Sequence, residues 1–194
     1  MCSLAALSLE CPQCGAPIER TESVCTYCHS PFFVKRIGDL QSKSNIEVSK
    51  YLKAYQQYLK NEEGYNKEAF MALGLCHLNN RSFERAIESF NKVIDVYPDY
   101  ADAYFYCALA QLKGKRPYLQ TLSNVKNILQ LLDTAIEYDS KGRYYYLLSF
   151  IQCDFYEKKR LRSGRNSEEL KRMAFELEID DVEIMEINEF CNLG

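Results

Sequence analysis

A helix–turn–helix spacing over residues 67–100 constrains the fold more than any other feature of this chain. Apolar residues recur at helical spacing in both halves of the unit, and each half contains a small residue, Gly74 in the first and Ala86 in the second. Small residues let two antiparallel helices approach closely, and the large side chain of Phe90 fills the space around that contact. Pro98 cannot continue a helix and therefore ends the unit.

Two more units follow with similar spacing. The second, residues 101–140, needs about eight extra residues in a loop that contains Gly and Pro. The third, residues 141–177, is degenerate, as terminal repeats often are. A helix over residues 46–61 precedes the repeats, and a tail, residues 178–194, follows them. The spacing resembles the tetratricopeptide repeat (TPR), so we expect a mainly α protein whose region 46–194 is a TPR-like α-solenoid of antiparallel helix pairs.

Four of the nine cysteines form two close pairs near the N-terminus. Two residues separate Cys11 from Cys14 and Cys25 from Cys28, and ten residues lie between the pairs. A two-residue spacing forms a tight turn that points both sulfurs at one ion, and two such turns complete a tetrahedral four-thiolate site. Because protein atoms fill all four positions, the pattern predicts a structural metal site rather than a catalytic one. The ten-residue gap suits a short β-hairpin that connects the two turns.

The pairs have the sequences Cys-Pro-Gln-Cys-Gly and Cys-Thr-Tyr-Cys, which resemble a bacterial zinc ribbon of the CPxCG…CxYC type. The resemblance implies one structural Zn²⁺ in a small β ribbon, residues 1–34, joined to the helical region by a linker, residues 35–45. The implied ligands are Cys11, Cys14, Cys25 and Cys28. His29 stands where the family usually has glycine. A rubredoxin-like iron centre uses the same four thiolates and is an alternative to zinc.

Stacked TPR units place their first helices along a concave groove, and the resemblance implies that this groove binds a protein or peptide partner. The groove-facing positions of the family, carried onto this chain, are mostly apolar: Met71, Leu75, Leu78, Phe105, Leu109, Leu112 and Tyr145. Such a lining suits an amphipathic helix or an extended hydrophobic segment. In a short array, the chain's own flanking segments, residues 45–61 or 178–190, are the alternative occupants.

The sequence favours a non-catalytic adaptor or scaffold, which acts through the TPR groove and the structural zinc ribbon. It contains no glycine-rich phosphate loop and no serine-nucleophile motif, so we expect no enzyme activity. Cys76, Cys107 and Cys153 lie at helical positions and are expected to be small buried hydrophobes rather than nucleophiles.

The alternative function is that of a nucleic-acid-associated regulatory factor, which would use the ribbon and the basic segment 158–172. The net charge of −3 gives no overall positive field that would favour this alternative. Phe32 and Phe33 follow the second cysteine pair, where they either stack on bases or pack the ribbon onto the next helix. Packing is the favoured interpretation.

Cellular location is inferred from what the chain lacks. Its N-terminal apolar run, residues 1–9, is far shorter than the roughly 20 residues of a membrane-spanning helix. That run also lacks the positive flank of a signal peptide, and an odd number of scattered cysteines is a poor disulfide framework. We therefore expect a cytoplasmic protein without membrane insertion.

Overall fold

The computed structural model describes residues 9–19, 22–60 and 65–191, so predicted parts of the ribbon, the flanking helix and the tail that fall on residues 1–8, 20–21, 61–64 and 192–194 lie outside the described residues. Within the described ranges, the fold is mainly helical with one two-stranded antiparallel sheet near the N-terminus, which confirms the predicted fold class. The elements in chain order are β1 (Leu9–Glu10), β2 (Pro17–Ile18), α1 (Gly38–Gln41), α2 (Asn45–Lys60), α3 (Lys67–Asn79), α4 (Phe83–Val96), α5 (Ala101–Gln111), α6 (Leu122–Tyr138), α7 (Gly142–Ile151), α8 (Ser167–Glu176) and α9 (Asp181–Phe190). None of these helices combines the length and apolar character needed to cross a membrane.

Helices α3 and α4 form the hairpin that the sequence pattern predicted. A Cβ atom at Gly74 would lie 2.4 Å from Cε1 of Phe90, so the ring occupies the space that glycine leaves free. Ala86 and Phe90 are fully buried. The Asn66 side chain accepts a hydrogen bond of 2.8 Å from the backbone N–H of Ala69, which caps α3. Packing at the helix–helix contact therefore follows the small-to-large pattern of the sequence.

Two further helix pairs stack after this hairpin, α5 with α6 and α7 with α8. The loop between α5 and α6 contains a single 3₁₀ turn, Pro117–Leu119, within the extra residues expected there. Helix α7 continues into a π-helix, Gln152–Glu157, before the chain turns towards α8. Such π turns are rare and often accompany a specific local function.

The N-terminal cysteine region packs directly against α2. Phe32 is 1% exposed and lies edge-on to Tyr55, with ring centroids 5.7 Å apart. The Tyr55 hydroxyl donates to the carbonyl of Phe32 at 2.8 Å and accepts from the N–H of Val34 at 3.1 Å. The following segment, expected to be a linker, contains α1 and fully buries Ile37 and Leu40. The N-terminal region and the helices therefore share one hydrophobic core.

Candidate metal centre and the concave face

Each cysteine pair lies in a tight turn with the same hydrogen-bonding pattern. The N–H of Gly15 donates to the carbonyl of Cys11 at 2.8 Å, and the N–H of His29 donates to the carbonyl of Cys25 at 2.9 Å. Gly15 has φ = 78° and His29 has φ = 55°, so both turns end in the left-handed region. This geometry explains why the zinc-ribbon pattern favours glycine at the position that His29 occupies.

Short β pairings enclose the turns rather than connect them. Strands β1 and β2 flank the first cysteine pair, and an isolated antiparallel bridge between Val24 and Pro31 flanks the second. The pairing observed for the described part of the gap is thus with residues outside it, and the tip of the expected hairpin, residues 20–21, lies outside the described residues. Each cysteine pair therefore lies at the tip of its own small hairpin, because the residues on either side of the turn pair with each other.

The four sulfurs converge. The Sγ atoms of Cys11 and Cys28 are 3.7 Å apart, as are those of Cys14 and Cys25, and all four lie within 4.8 Å of one another. A tetrahedral ion about 2.3 Å from each sulfur requires sulfur–sulfur distances of about 3.8 Å. The donor set and its spacing therefore fit a metal-binding site, and no fifth protein ligand is needed.

Local hydrogen bonds and burial act in opposite directions on these thiols. Hydrogen bonds from the side chain and backbone of Ser30 lower the pKa of Cys28 to about 6. Burial raises the pKa of Cys11 to about 12. A cation at the centre of the cluster would favour the thiolate form of every ligand, since a coordinating thiol loses its proton.

We expect His29→Gly to stabilise the second turn by about 1 kcal/mol, because a side chain with φ near 55° is strained and glycine is not. The matched change Gly15→Ala introduces the same strain in the first turn and should destabilise it by a similar amount. Thermal unfolding of the metal-loaded chain measures both effects. Equal melting temperatures for the three proteins would contradict this account.

The concave face is largely filled by the chain itself. Six of the seven predicted groove residues are buried, and only Tyr145 is half-buried. The six are Met71, Leu75, Leu78, Phe105, Leu109 and Leu112. Helix α1 contacts both α3 and α9, and α9 contacts α7. These six side chains therefore do not form an open surface, and α9, which belongs to the alternative occupant 178–190, packs on α7 and α1.

A charged network holds α5, α7 and α9 together at this face. Asp102 accepts hydrogen bonds from Lys141 at 3.1 Å and from the Arg143 guanidinium and the Tyr144 hydroxyl. Arg143, which is 8% exposed, also pairs with Glu183 of α9 at 3.5 Å. The carboxylate of Asp102 therefore binds residues of the same chain rather than facing an open groove.

Polar contacts also join the α1 region to α9. The buried carboxylate of Glu186 accepts a hydrogen bond of 2.7 Å from the N–H of Gly38, and burial raises the pKa of Glu186. Two exposed pairs flank it, Arg36 with Asp180 at 3.3 Å and Gln41 with Glu189 at 3.1 Å. These contacts join the segment before the repeats to the helix that follows them.

One part of the concave face stays open as a cleft of about 540 Å³ between the cysteine region and the first helices of the repeats. Phe33, Val34 and Lys35 line one wall. The opposite wall comes from α3, its neighbour α5 and the turn between α4 and α5, and includes Glu68, Met71, Tyr100 and Asp102. Met71 is the predicted groove residue that borders this cleft.

Phe32 and Phe33 pack against α2, as favoured from the sequence. Phe32 is buried, and Phe33 lies edge-on to Tyr58 with ring centroids 5.2 Å apart. Cys76 and Cys107 are buried as expected, whereas Cys153 is exposed. Cys153 lies in the π-helix, whose wider turn changes the direction of successive side chains and moves this thiol off the buried face.

Sequence reasoning missed the most deeply buried carboxylate of this region, Asp154, which has no exposed side-chain surface. It accepts hydrogen bonds from the Arg116 guanidinium, the Lys158 ammonium at 2.7 Å and the N–H of Tyr118 at 2.9 Å. In the sequence, only the excess of Lys and Arg in the α5–α6 loop and after residue 157 indicated a nearby acidic residue, and it did not show which one.

Comparison with family models matches the tetratricopeptide repeat over residues 52–101 and 77–117. The chain therefore contains TPR repeats between the middle of α2 and the insertion loop. The second helix of the α5–α6 pair and the whole α7–α8 pair follow the matched residues in the chain. A search of curated proteins found no match.

Proposed function

We propose that this protein is a non-catalytic adaptor that binds a protein partner in the open cleft between the cysteine region and the TPR helices. TPR repeats point to a role in protein–protein interaction. The observation that carries the proposal is the cleft itself, because it is open to solvent and is bordered by α3 and α5, the first helices of two repeats.

The chemistry of the cleft suits an extended peptide segment. Half-buried Phe33 provides most of the apolar surface, with small exposed parts of Val34 and Met71, while Lys35 and Glu68 place opposite charges on the two walls. Extended peptides bind through pockets for alternate side chains, and charges at the rim fix their direction. A segment with apolar side chains and one charged residue of each sign would satisfy both walls.

We assign Zn²⁺ to the four-cysteine site, with Cys11, Cys14, Cys25 and Cys28 as ligands. Four thiolates are typical of structural zinc, and the site leaves no coordination position for substrate. The bridge from Val24 to Pro31 and the hydrogen bond of 3.0 Å from the N–H of Cys25 to the carbonyl of Ser30 connect the metal turn to the cleft wall. In this proposal the ion fixes the wall that the partner contacts.

Site-specific crosslinking tests the proposal. A photoreactive residue at Lys35, which is exposed at the cleft, should capture one defined partner in cells. The same residue at Lys126, exposed on α6 away from the cleft, is the matched control. Reversing both wall charges with Lys35→Glu and Glu68→Arg should weaken binding of the captured partner at least about tenfold.

Two results would contradict the proposal. The first is capture of the same partner with equal yield from Lys126. The second is an unchanged affinity of the partner for the double charge-reversal variant, once circular dichroism has established that this variant is folded.

The nucleic-acid alternative stays a prediction. Within segment 158–172, Lys158, Arg165 and Arg172 pair with acidic residues of the chain, so part of its positive charge is already neutralised. Salt-dependent retention on heparin would favour this alternative, since phosphate contacts weaken steeply as salt rises.

A further inference from the structure

An exposed basic and apolar surface is built by the insertion loop and the end of the π-helix. We call it the basic loop surface, and its residues are Lys115, Tyr118, Leu119, Leu122, Lys159 and Arg160. Tyr118, Leu119 and Leu122 are 45%, 67% and 46% exposed. Lys159 lies over the Tyr118 ring, 4.9 Å from its centroid. Among the described residues, no carboxylate pairs with Lys115 or Arg160.

The basic loop surface is held in place from beneath by Asp154. Burial opposes ionisation of this group, but the hydrogen bonds from Arg116 and Lys158 lower the pKa of Asp154, so it is charged at neutral pH. Its bond to the Tyr118 N–H fixes the 3₁₀ turn that presents the apolar side chains. A surface ordered before binding loses little conformational entropy when a partner docks.

An acidic and apolar surface lies at the corner between α8 and α9. We call it the acidic corner, and its residues are Phe175, Glu176, Leu177, Glu178, Asp181 and Val182. Phe175, Leu177 and Val182 are 51%, 38% and 39% exposed, and all three acids are exposed. Glu176 pairs with Arg172 at 3.5 Å, whereas Glu178 and Asp181 pair with no cation among the described residues. From Met173 to the end of the chain there is no Lys or Arg.

The acidic corner is also well anchored. Buried Ile179 lies in its middle, and a Cβ atom at Gly142 would lie 2.6 Å from the carbonyl oxygen of Ala174, so α7 and the end of α8 are in close contact. The side chain of Asp180 caps α9 by accepting from the N–H of Glu183 at 2.7 Å. The corner is therefore a fixed surface.

We infer that the acidic corner of one copy of this chain docks on the basic loop surface of a second copy. The two surfaces match in kind, since each combines three exposed apolar side chains with unpaired charges of one sign, Lys115 and Arg160 on one surface and Glu178 and Asp181 on the other. Both surfaces are exposed, so neither covers the other within a single chain. Their exposed apolar side chains also mark interaction sites on both surfaces.

The association is head-to-tail. The contact joins a different surface on each of the two copies. One acidic corner and one basic loop surface therefore stay free at the two ends of the assembly. It can grow as an open chain or close as a ring. It does not use the cleft assigned to the protein partner, so partner binding and self-association are separate properties.

The molecular mass of the zinc-loaded full chain tests the inference. We expect the weight-average mass from sedimentation or light scattering to rise between about 10 and 100 μM. Raising salt from about 0.05 to 0.5 M should lower the mass, because exposed charges are screened. A monomer at every concentration overturns the inference, even if the chain binds nucleic acid or another protein.

Charge reversal identifies the surfaces. Lys115→Glu with Arg160→Glu makes both surfaces acidic, whereas Glu178→Lys with Asp181→Lys makes both basic. Each double variant alone should be monomeric, and an equimolar mixture should regain the mass of the unmodified chain, with the variants alternating. The matched control, Lys50→Glu with Lys53→Glu, changes two exposed lysines of α2 and should associate normally.

Continued association of either double variant alone would show that the copies bind each other through other surfaces, and it would overturn the inference. A monomeric mixture of folded variants, or loss of association in the α2 control, would overturn it as well. Circular dichroism establishes that each variant is folded before its mass is interpreted.

Discussion

Replacing Cys14 with serine is expected to abolish stoichiometric zinc binding and to unfold the N-terminal ribbon. Structural zinc contributes on the order of 10 kcal/mol to the folding of small metal-binding domains, and a serine hydroxyl does not replace a thiolate ligand. Within the ribbon, the described strands are only two residues long, so their pairing alone is too weak to hold the cysteine turns without the ion. Elemental analysis of the purified protein measures the loss of zinc.

The effect should stay mostly local. Tyr55 would lose its contacts with Phe32 and Val34, so the near-ultraviolet circular dichroism of the tyrosines should change. The far-ultraviolet helical signal should be nearly unchanged, because α3 to α8 pack in pairs with their own buried residues. Cys153→Ser is the control, since this exposed thiol lies outside the cluster. Full zinc content in the Cys14→Ser protein would show that the four-thiolate assignment is wrong.

Asp102→Ala is expected to destabilise the folded protein by about 3–5 kcal/mol, since it leaves the buried Arg143 without its main counter-charge. Lys141 and the Tyr144 hydroxyl lose the same acceptor. Urea unfolding measures the change. Asp95→Ala removes an exposed carboxylate from α4 and should change stability by less than about 0.5 kcal/mol. Equal effects of the two substitutions would contradict a packing role for Asp102.

The same network predicts a pH dependence. Burial opposes ionisation of Asp102, but the charge of Arg143 and the hydrogen bond from Tyr144 lower the pKa of this carboxyl below its usual value. Its contribution to stability is therefore present above the unfolded value of about 3.9 and is lost as pH falls through the lower folded value. Unfolding curves at several acidic pH values should show this loss in the unmodified chain. In the Asp102→Ala variant, the loss of stability on acidification should be smaller by the contribution of the Asp102 carboxylate.

Local sequence was sufficient for the two features that depend on spacing. The pattern of Gly74, Ala86 and Phe90 predicted the α3–α4 hairpin, because residues on one helix face recur at a fixed interval and a small residue must face a large one. The spacing within the two cysteine pairs predicted that their sulfurs converge, because a two-residue turn leaves little freedom in where the thiols point.

Tertiary structure alone decided whether the concave face is open. The covering helix α1 has only four residues, too few for a periodic pattern. The contact from Gly38 to Glu186 joins residues 148 positions apart, and the bond from Arg143 to Asp102 joins residues 41 positions apart. Local periodicity shows which face of a helix is apolar, but not which distant element buries it. That choice depends on how all the helices pack together, and here six of the side chains that the repeat pattern marked as a binding groove are buried.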